Sequence, residues 1–231
     1  MKEEAVKLLK NKDYMDLYTI SIGKVMAQQL RFIDYLGEFS KWNCDFTKGE
    51  IILDDEPFDA QFIGSSSIHD NSWFSAEVES VIPDEYVELI MQTRNRLRKL
   101  GLEDFYYEKI ELDDYITADS LAVIYTAFAP ENVCYFKGSS DDGLTLYAYI
   151  KQLPETIYEK IGSNEFISVV MRIIENFSLN HRLLIESFLI NNDCELTRDG
   201  DTTIGAFGGD SNIKFEFDEY GRLLKYSGTL N

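Results

Sequence analysis

Two histidines, three cysteines and a large surplus of carboxylates are what this chain offers for chemistry. Their spacing decides which chemistry is open. Ser65-Ser66-Ser67 runs directly into Ile68-His69-Asp70, so a hydroxyl, an imidazole and an acid follow one another closely. Side chains so near along an extended strand and turn point apart, and the G-x-S-x-G elbow that would present a nucleophile is missing, so the run reads as a polar turn. His181 lies in Leu179-Asn180-His181-Arg182 on an expected helix, where the positions one turn away are Phe177 and Ile185. No second metal ligand shares its face and H-E-x-x-H is absent, so it reads as a surface or half-buried residue. Cys44, Cys134 and Cys194 are widely separated, with no C-x-x-C. They give neither a disulfide framework nor a zinc site and fit a reducing compartment. The acidic runs Asp54-Asp55-Glu56, Asp113-Asp114 and Asp141-Asp142 lack the alternating spacing of a calcium loop and read as solvated turns. Ile204-Gly205-Ala206-Phe207-Gly208-Gly209 has the wrong spacing for a phosphate cradle and no helix behind it, so it reads as a strand break. No catalytic residue, metal or cofactor is assigned on these grounds.

What remains is a ligand-binding constellation: Trp73, Glu77 and Glu79 on one expected strand. A carboxylate with a neighbouring tyrosine could serve acid-base chemistry, and Trp42, Tyr106, Tyr107, Tyr147 and Tyr149 could line a pocket. Aromatic residues at strand spacing more often form cross-strand pairs or core, so a purely structural role stands beside the binding one.

The elements that would position these residues follow from hydrophobic period. Tyr18, Ile22, Val25, Met26, Gln29, Phe32, Ile33 and Leu36 recur at helical spacing, which predicts a helix over 13–38 with Gly37 as its stop. From Lys41 the period becomes two: Trp42, Cys44 and Phe46 alternate with polar residues, then Thr47-Lys48-Gly49 turns the chain into Ile51-Ile52-Leu53. Strands over 58–67 and 72–81 follow, the second with Phe74, Ala76 and Val78 inward and Ser75, Glu77 and Glu79 outward. Pro83-Asp84-Glu85 opens a helix with Tyr86, Val87, Ile90, Met91 and Leu97 buried and Gly101 closing it. A strand is expected at 105–112, a short helix capped by Thr117, and a hairpin from Val133 to Ile150. The stripe Phe166, Val169, Val170, Ile173, Ile174, Phe177 predicts a further helix, breaking near Ser178, which could cap a continuation that carries Leu183, Leu184 and Phe188. Four short strands fill Asp193 to Leu230, ending in a hairpin in which Ile213, Phe215 and Phe217 alternate with Lys214, Glu216 and Asp218 before a turn at Glu219-Tyr220-Gly221.

These elements give an α+β fold of antiparallel meanders with helices packed on their faces, organised as two subdomains. Residues 1–153 hold a helix, a four-stranded meander, additional helices and a hairpin; residues 160–231 hold a long helix and the C-terminal antiparallel strands. Asn43-Cys44-Asp45-Phe46-Thr47-Lys48-Gly49-Glu50 resembles Asp193-Cys194-Glu195-Leu196-Thr197-Arg198-Asp199-Gly200-Asp201, allowing one inserted residue. An old duplication is one reading, and the convergence of polar hairpins is the stronger one.

Composition bounds the setting. With 45% hydrophobic residues and only 4 prolines, the chain has the apolar surface to fold along most of its length. Its 41 acids against 22 bases give a net charge of −19, which repels phosphate backbones and anionic membrane and attracts basic surfaces. No stretch matches a signal peptide or a membrane span, so a soluble cytoplasmic protein is expected.

Phe62-Ile63-Gly64-Ser65, Asn71-Ser72-Trp73-Phe74-Ser75-Ala76 and a Pro83-led helix ending Leu97-Arg98-Lys99-Leu100-Gly101 resemble a bacterial family of unknown function. That family has a Gly-Ser/Thr strand, a tryptophan-rich strand and a Leu-Gly-terminated helix. The hairpin from Tyr135-Phe136 to Asp141-Asp142-Gly143 and the Phe217-Asp218-Glu219-Tyr220-Gly221-Arg222-Leu223 turn extend the likeness over most of the chain. Ser75 and Glu77 stand where similar sequences often carry tryptophan. The resemblance implies a bacterial cytosolic protein and assigns no catalytic residue. Charge and resemblance together favour a non-enzymatic module that binds a basic protein, immunity- or antitoxin-like in its sharpest form. A small-molecule enzyme or hydrolase using pocket carboxylates, and an oligomeric scaffold, are the alternatives.

Overall fold

The computed structural model describes residues 1–10, 13–102 and 105–229. Two compact units make up the chain: a central one, Gln28–Tyr158, and a terminal one, Met1–Ala27 with Glu159–Asn231. Both sheets are antiparallel throughout and both carry helices, so the architecture is α+β as expected. The first long helix, α2 (Tyr14–Leu36), contributes residues to each unit and ends at Gly37, whose φ of 66° is the left-handed conformation that stops a helix. A short α1 (Glu3–Val6), which the sequence pattern did not indicate, precedes it.

The central unit is built on a seven-stranded sheet. Strands β1 (Trp42–Asp45) and β2 (Glu50–Leu53) form the expected hairpin. Its turn is closed by the Asp45 carboxylate, which accepts from the Thr47 amide at 3.0 Å and the Thr47 hydroxyl at 2.7 Å. The long β3 (Glu56–Ser67) pairs with β2 through its first residues and with β4 (Ser72–Ser75) through its last. Strand β5 (Lys109–Glu111) borders β4. The hairpin β6 (Cys134–Ser139) and β7 (Leu144–Ile150) joins through β7 to β3. Helices α3 (Glu88–Lys99) and α4 (Ala118–Phe128) pack on one face of this sheet. Thr117 caps α4 in a reciprocal box with Ser120. Helix α3 has no capping side chain of its own; Gln61 of β3 accepts the Leu89 amide at 3.1 Å and so anchors the helix to the sheet.

Three expectations for this unit are corrected. The strand over 72–81 stops at Ser75, and Ala76–Val78 forms a 3-10 turn that leaves Val78 exposed while Ser75 is buried. The strand over 105–112 shrinks to three residues, because guanidiniums from α3 take its carbonyls: Arg94 bonds that of Tyr107 at 2.7 Å and Arg98 that of Phe105 at 3.0 Å. The buried stripe of α3 holds Thr93 and Arg94 where Met91 was expected, and Met91 faces outward.

In the terminal unit, α5 (Ser163–Asn176) and α6 (His181–Asn191) accompany a simple meander of β8 (Glu195–Asp199), β9 (Thr202–Gly208), β10 (Ser211–Phe217) and β11 (Leu223–Thr229). The expected alternation in β10 buries Ile213, Phe215 and Phe217. Phe166 of α5 stacks on Phe188 of α6 at 4.3 Å and meets Phe207 and Phe215 from the sheet. The cap of α6 is Asn180, which accepts the Leu183 amide at 2.9 Å; Ser178 does not serve. Glu186 is buried, and burial alone would raise its pKa. Bonds from Arg198, Thr203 and Arg182 outweigh that effect and hold it ionised. Leu230, expected to end the last strand, lies outside the described residues.

The meanders β1–β4 and β8–β11 share a sequential strand order. Their resembling segments nevertheless occupy different places, since Phe46-Thr47-Lys48 lies in a turn and Leu196-Thr197-Arg198 within β8.

His181 opens α6, and its Nδ1 accepts the Leu223 amide at 3.0 Å, a bond that needs the neutral ring. Burial holds its pKa below the ordinary 6.5, with Arg222 acting in the same direction and Asp218 against it. The unfolded chain therefore takes up this proton first as the pH falls. The contribution is whole above about pH 6.5 and is lost through the window below it. Urea unfolding at pH 7 and pH 5.5 is expected to show a stability loss that His181→Gln reduces; an unchanged loss in the variant would contradict this reading.

Candidate functional site

Along β6, Lys137 faces the α4 side, where its ammonium lies over the Tyr147 ring, and Phe136 and Gly138 therefore face the other side. The β1–β2 hairpin curls over that second face: Trp42 meets Phe136 at 5.5 Å between ring centroids, and Phe46 meets Phe62 at 4.8 Å. Gly138 permits the approach, because a Cβ there would fall within the Trp42 ring's contact radius. On the side away from the hairpin, the chain leaving β4 rises as a wall formed by Ala76, Glu79, Val81 and Ile82.

Between hairpin and wall lies a groove of about 300 Å³. Trp42, Cys44 and Phe46 line one side, and Ser65, Gly138 and Leu146 contribute from the sheet. Its surface is mostly apolar, and Glu79 is its one charged lining residue. Val81 (64% exposed) and Leu144 (44%) sit at its rim, so apolar surface continues outward. Two further carboxylates are tied to the lining segments. Asp45 lies between Cys44 and Phe46, and hydrogen bonds from Thr47 hold its pKa below the ordinary range, although it also meets Lys48 at 3.4 Å. Asp142 lies between Ser140 and Leu144 and is held low by the Ser140 hydroxyl. The groove is thus an apolar slot with ionised acids around it.

Its own reactive groups are quiet. Burial, followed by the charge of Asp45, pushes the Cys44 thiol above its ordinary pKa, which keeps it protonated and weakly nucleophilic. Among the described residues no three His, Cys, Asp or Glu side chains are placed to hold a metal ion.

The three residues singled out from the sequence occupy three different environments. Trp73 is wholly buried on the α4 face, its ring 5.8 Å from Tyr125 and 5.1 Å from Tyr147. Glu77 turns to α3 and pairs with Arg94, with Arg98 3.9 Å away. Glu79 alone of the three lines the groove. The neighbourhood of Ser65 and His69 resolves differently from a nucleophile with its base: the Ser67 hydroxyl accepts the His69 amide, and the His69 Nε2 lies 2.9 Å from the Asp142 carbonyl. Asp54 and Asp113, from the acidic runs, bond backbone amides in turns. Sequence reasoning missed Arg94, wholly buried on α3. A basic residue at the same face as Ile90 and Leu97 was the available signal.

Arg94 governs the wall. Its guanidinium is hydrogen-bonded to the Tyr107 carbonyl and ion-paired with Glu77, which sits in the turn from which Glu79, Val81 and Ile82 depart. Burial lowers its pKa from the ordinary value, yet an arginine stays charged, so the carboxylate partner is required. Glu77→Ala leaves that charge only the half-exposed Glu108, 3.8 Å away, and equilibrium unfolding is expected to register a loss of about 3 kcal/mol. A loss below about 1 kcal/mol, typical of exposed pairs, would remove the pair from this role.

The chain belongs to the family of unknown function DUF6882, whose model matches residues 15–152, from the start of α2 to just beyond β7. The matched span contains every residue of the groove and of its Arg94-held wall. No curated protein and no solved structure matches the chain. No helix among the described residues is long and apolar enough to cross a membrane.

Proposed function

We propose that the protein is a non-enzymatic binding module whose groove takes an apolar side chain from a basic protein segment. The observation that carries this reading is the groove's composition: apolar walls, one lining carboxylate and flanking acids held ionised. At about 300 Å³ the slot stands at the small end of ligand sites, a size suited to an anchor residue from a partner chain. The whole-chain charge of −19 adds long-range attraction for a basic partner and discourages nucleic acid. A quiet Cys44 and a Glu77 committed to Arg94 favour binding over catalysis. An immunity- or antitoxin-like role against a basic effector is the sharpest form of the proposal, and it rests on the same charge complementarity.

The chain has two tryptophans, Trp42 in the groove and Trp73 wholly buried, so Trp42 reports occupancy. A short peptide with Leu or Phe flanked by lysines is expected to change the emission of Trp42 and to bind more weakly as salt rises. Glu79→Gln should weaken it by about two- to fivefold, and Gly138→Val, which drives the Trp42 ring off the sheet and so removes one wall of the slot, should abolish it. Equal binding of the same peptide with glutamates in place of lysines would refute the proposal.

A further inference from the structure

Cations are the scarcer charge in this chain, 22 against 41 acids, so a basic side chain readily finds a carboxylate. One cleft of the terminal unit departs from that pattern. The N-terminal segment lies along α6: the Lys2 amide donates to Asn191, at the end of that helix, at 3.2 Å, and α1 packs on it. Beyond α1 the chain reaches the start of α6, where a cleft of about 720 Å³ is lined by Lys7, Lys10, Arg182 and Arg198. That volume lies within the range of small-molecule sites.

The two arginines are held in place by one acid. Glu186 is 6% exposed, and four bonds saturate its carboxylate. Its Oε1 accepts from Arg182 Nε at 3.0 Å and the Thr203 hydroxyl at 2.7 Å, and its Oε2 from Arg198 Nε at 3.0 Å and Nη2 at 2.9 Å. Arg182 also donates to the Gly200 carbonyl and lies over the Phe217 ring. Neither arginine's Nη1 makes a hydrogen bond among the described residues; the Nη1 of Arg182 has only the exposed Asp201 at 3.9 Å. Lys7 and Lys10 are exposed and form no ion pair among the described residues. The other lining acids leave these donors open. Asp13 accepts the Asp16 amide at 2.7 Å at the start of α2, and burial, then the charge of Asp13, raises the pKa of Asp16 against the pull of Lys10.

We propose that this cleft binds a phosphate-bearing small molecule, with Arg182 and Arg198 fixing the phosphate and Lys7 and Lys10 meeting it from the N-terminal segment. Two guanidiniums set by a shared carboxylate suit an anion with several oxygens, whereas a lone carboxylate needs only one fork. The ligand is small because a polymer's many phosphates meet the field of the whole chain, −19. A single phosphate within a Debye length, about 8 Å, of four cations is governed by them. The inference is independent of the groove, which lies in the other unit.

Isothermal titration calorimetry of the full chain with inorganic pyrophosphate tests it. Wild type is expected to bind saturably at one site, and more weakly as salt rises. Lys7→Gln combined with Lys10→Gln, at two exposed positions, should weaken binding by about five- to tenfold. Arg198→Lys, which keeps the charge and loses the fork, should also weaken it. Lys99→Gln, on α3 of the other unit, should leave it unchanged. Absence of saturable binding overturns the proposal. So does affinity indifferent to the lysine double variant or to Arg198→Lys, or an equal loss through Lys99→Gln.

Discussion

A guanidinium with no access to water is the constraint around which the central unit is arranged. Arg94 sits at 0% exposure on the buried face of α3, and a charge in that position must be met by ions and dipoles. Glu77 and the Tyr107 carbonyl meet it. Doing so ends β4 at Ser75, because the chain must turn to bring Glu77 inward, and it takes the Tyr107 carbonyl that a longer β5 would have used. The same turn sends Glu79, Val81 and Ile82 along the rim of the sheet, where they become the wall of the groove. One buried charge thus connects helix packing, strand length and the shape of the candidate site.

The groove's chemistry follows from what that wall faces. A hairpin bearing Trp42 and Phe46 lies over the sheet because Gly138 gives way and because Phe136 and Phe62 receive the two rings. The slot that remains is apolar inside and acidic outside, a combination that binds by desolvating an apolar side chain and orients by charge. The family to which the chain belongs carries no assigned activity, so the functional reading rests on this geometry.

Much of the fold was legible in the sequence, and the reasons differ by element. Local signals sufficed for the β1–β2 hairpin, the Thr117 cap and the buried alternation of Ile213, Phe215 and Phe217, since each depends on residues close in the chain. The end of β4 was not legible, because alternation of Phe74, Ala76 and Val78 continues past Ser75 and only a distant arginine breaks it. For the same reason Trp73, Glu77 and Glu79, read as one constellation on a single strand, are dispersed among core, ion pair and groove. The α6 cap was misplaced by two residues because Ser178 and Asn180 offer equivalent cap chemistry, and the choice depends on where the helix is anchored. The groove itself joins Trp42 to Gly138 and Val81, separations over which periodicity carries no information.

Occupancy of the groove is read most directly at Cys44, a half-buried free thiol on its wall, with Cys194, the half-buried thiol of the other unit, as an internal reference. Alkylation rates of the two can be followed residue by residue in the presence of a lysine-flanked apolar peptide. The account predicts that saturating peptide slows modification of Cys44 and leaves Cys194 unchanged. Equal rates at Cys44 with and without peptide would contradict it.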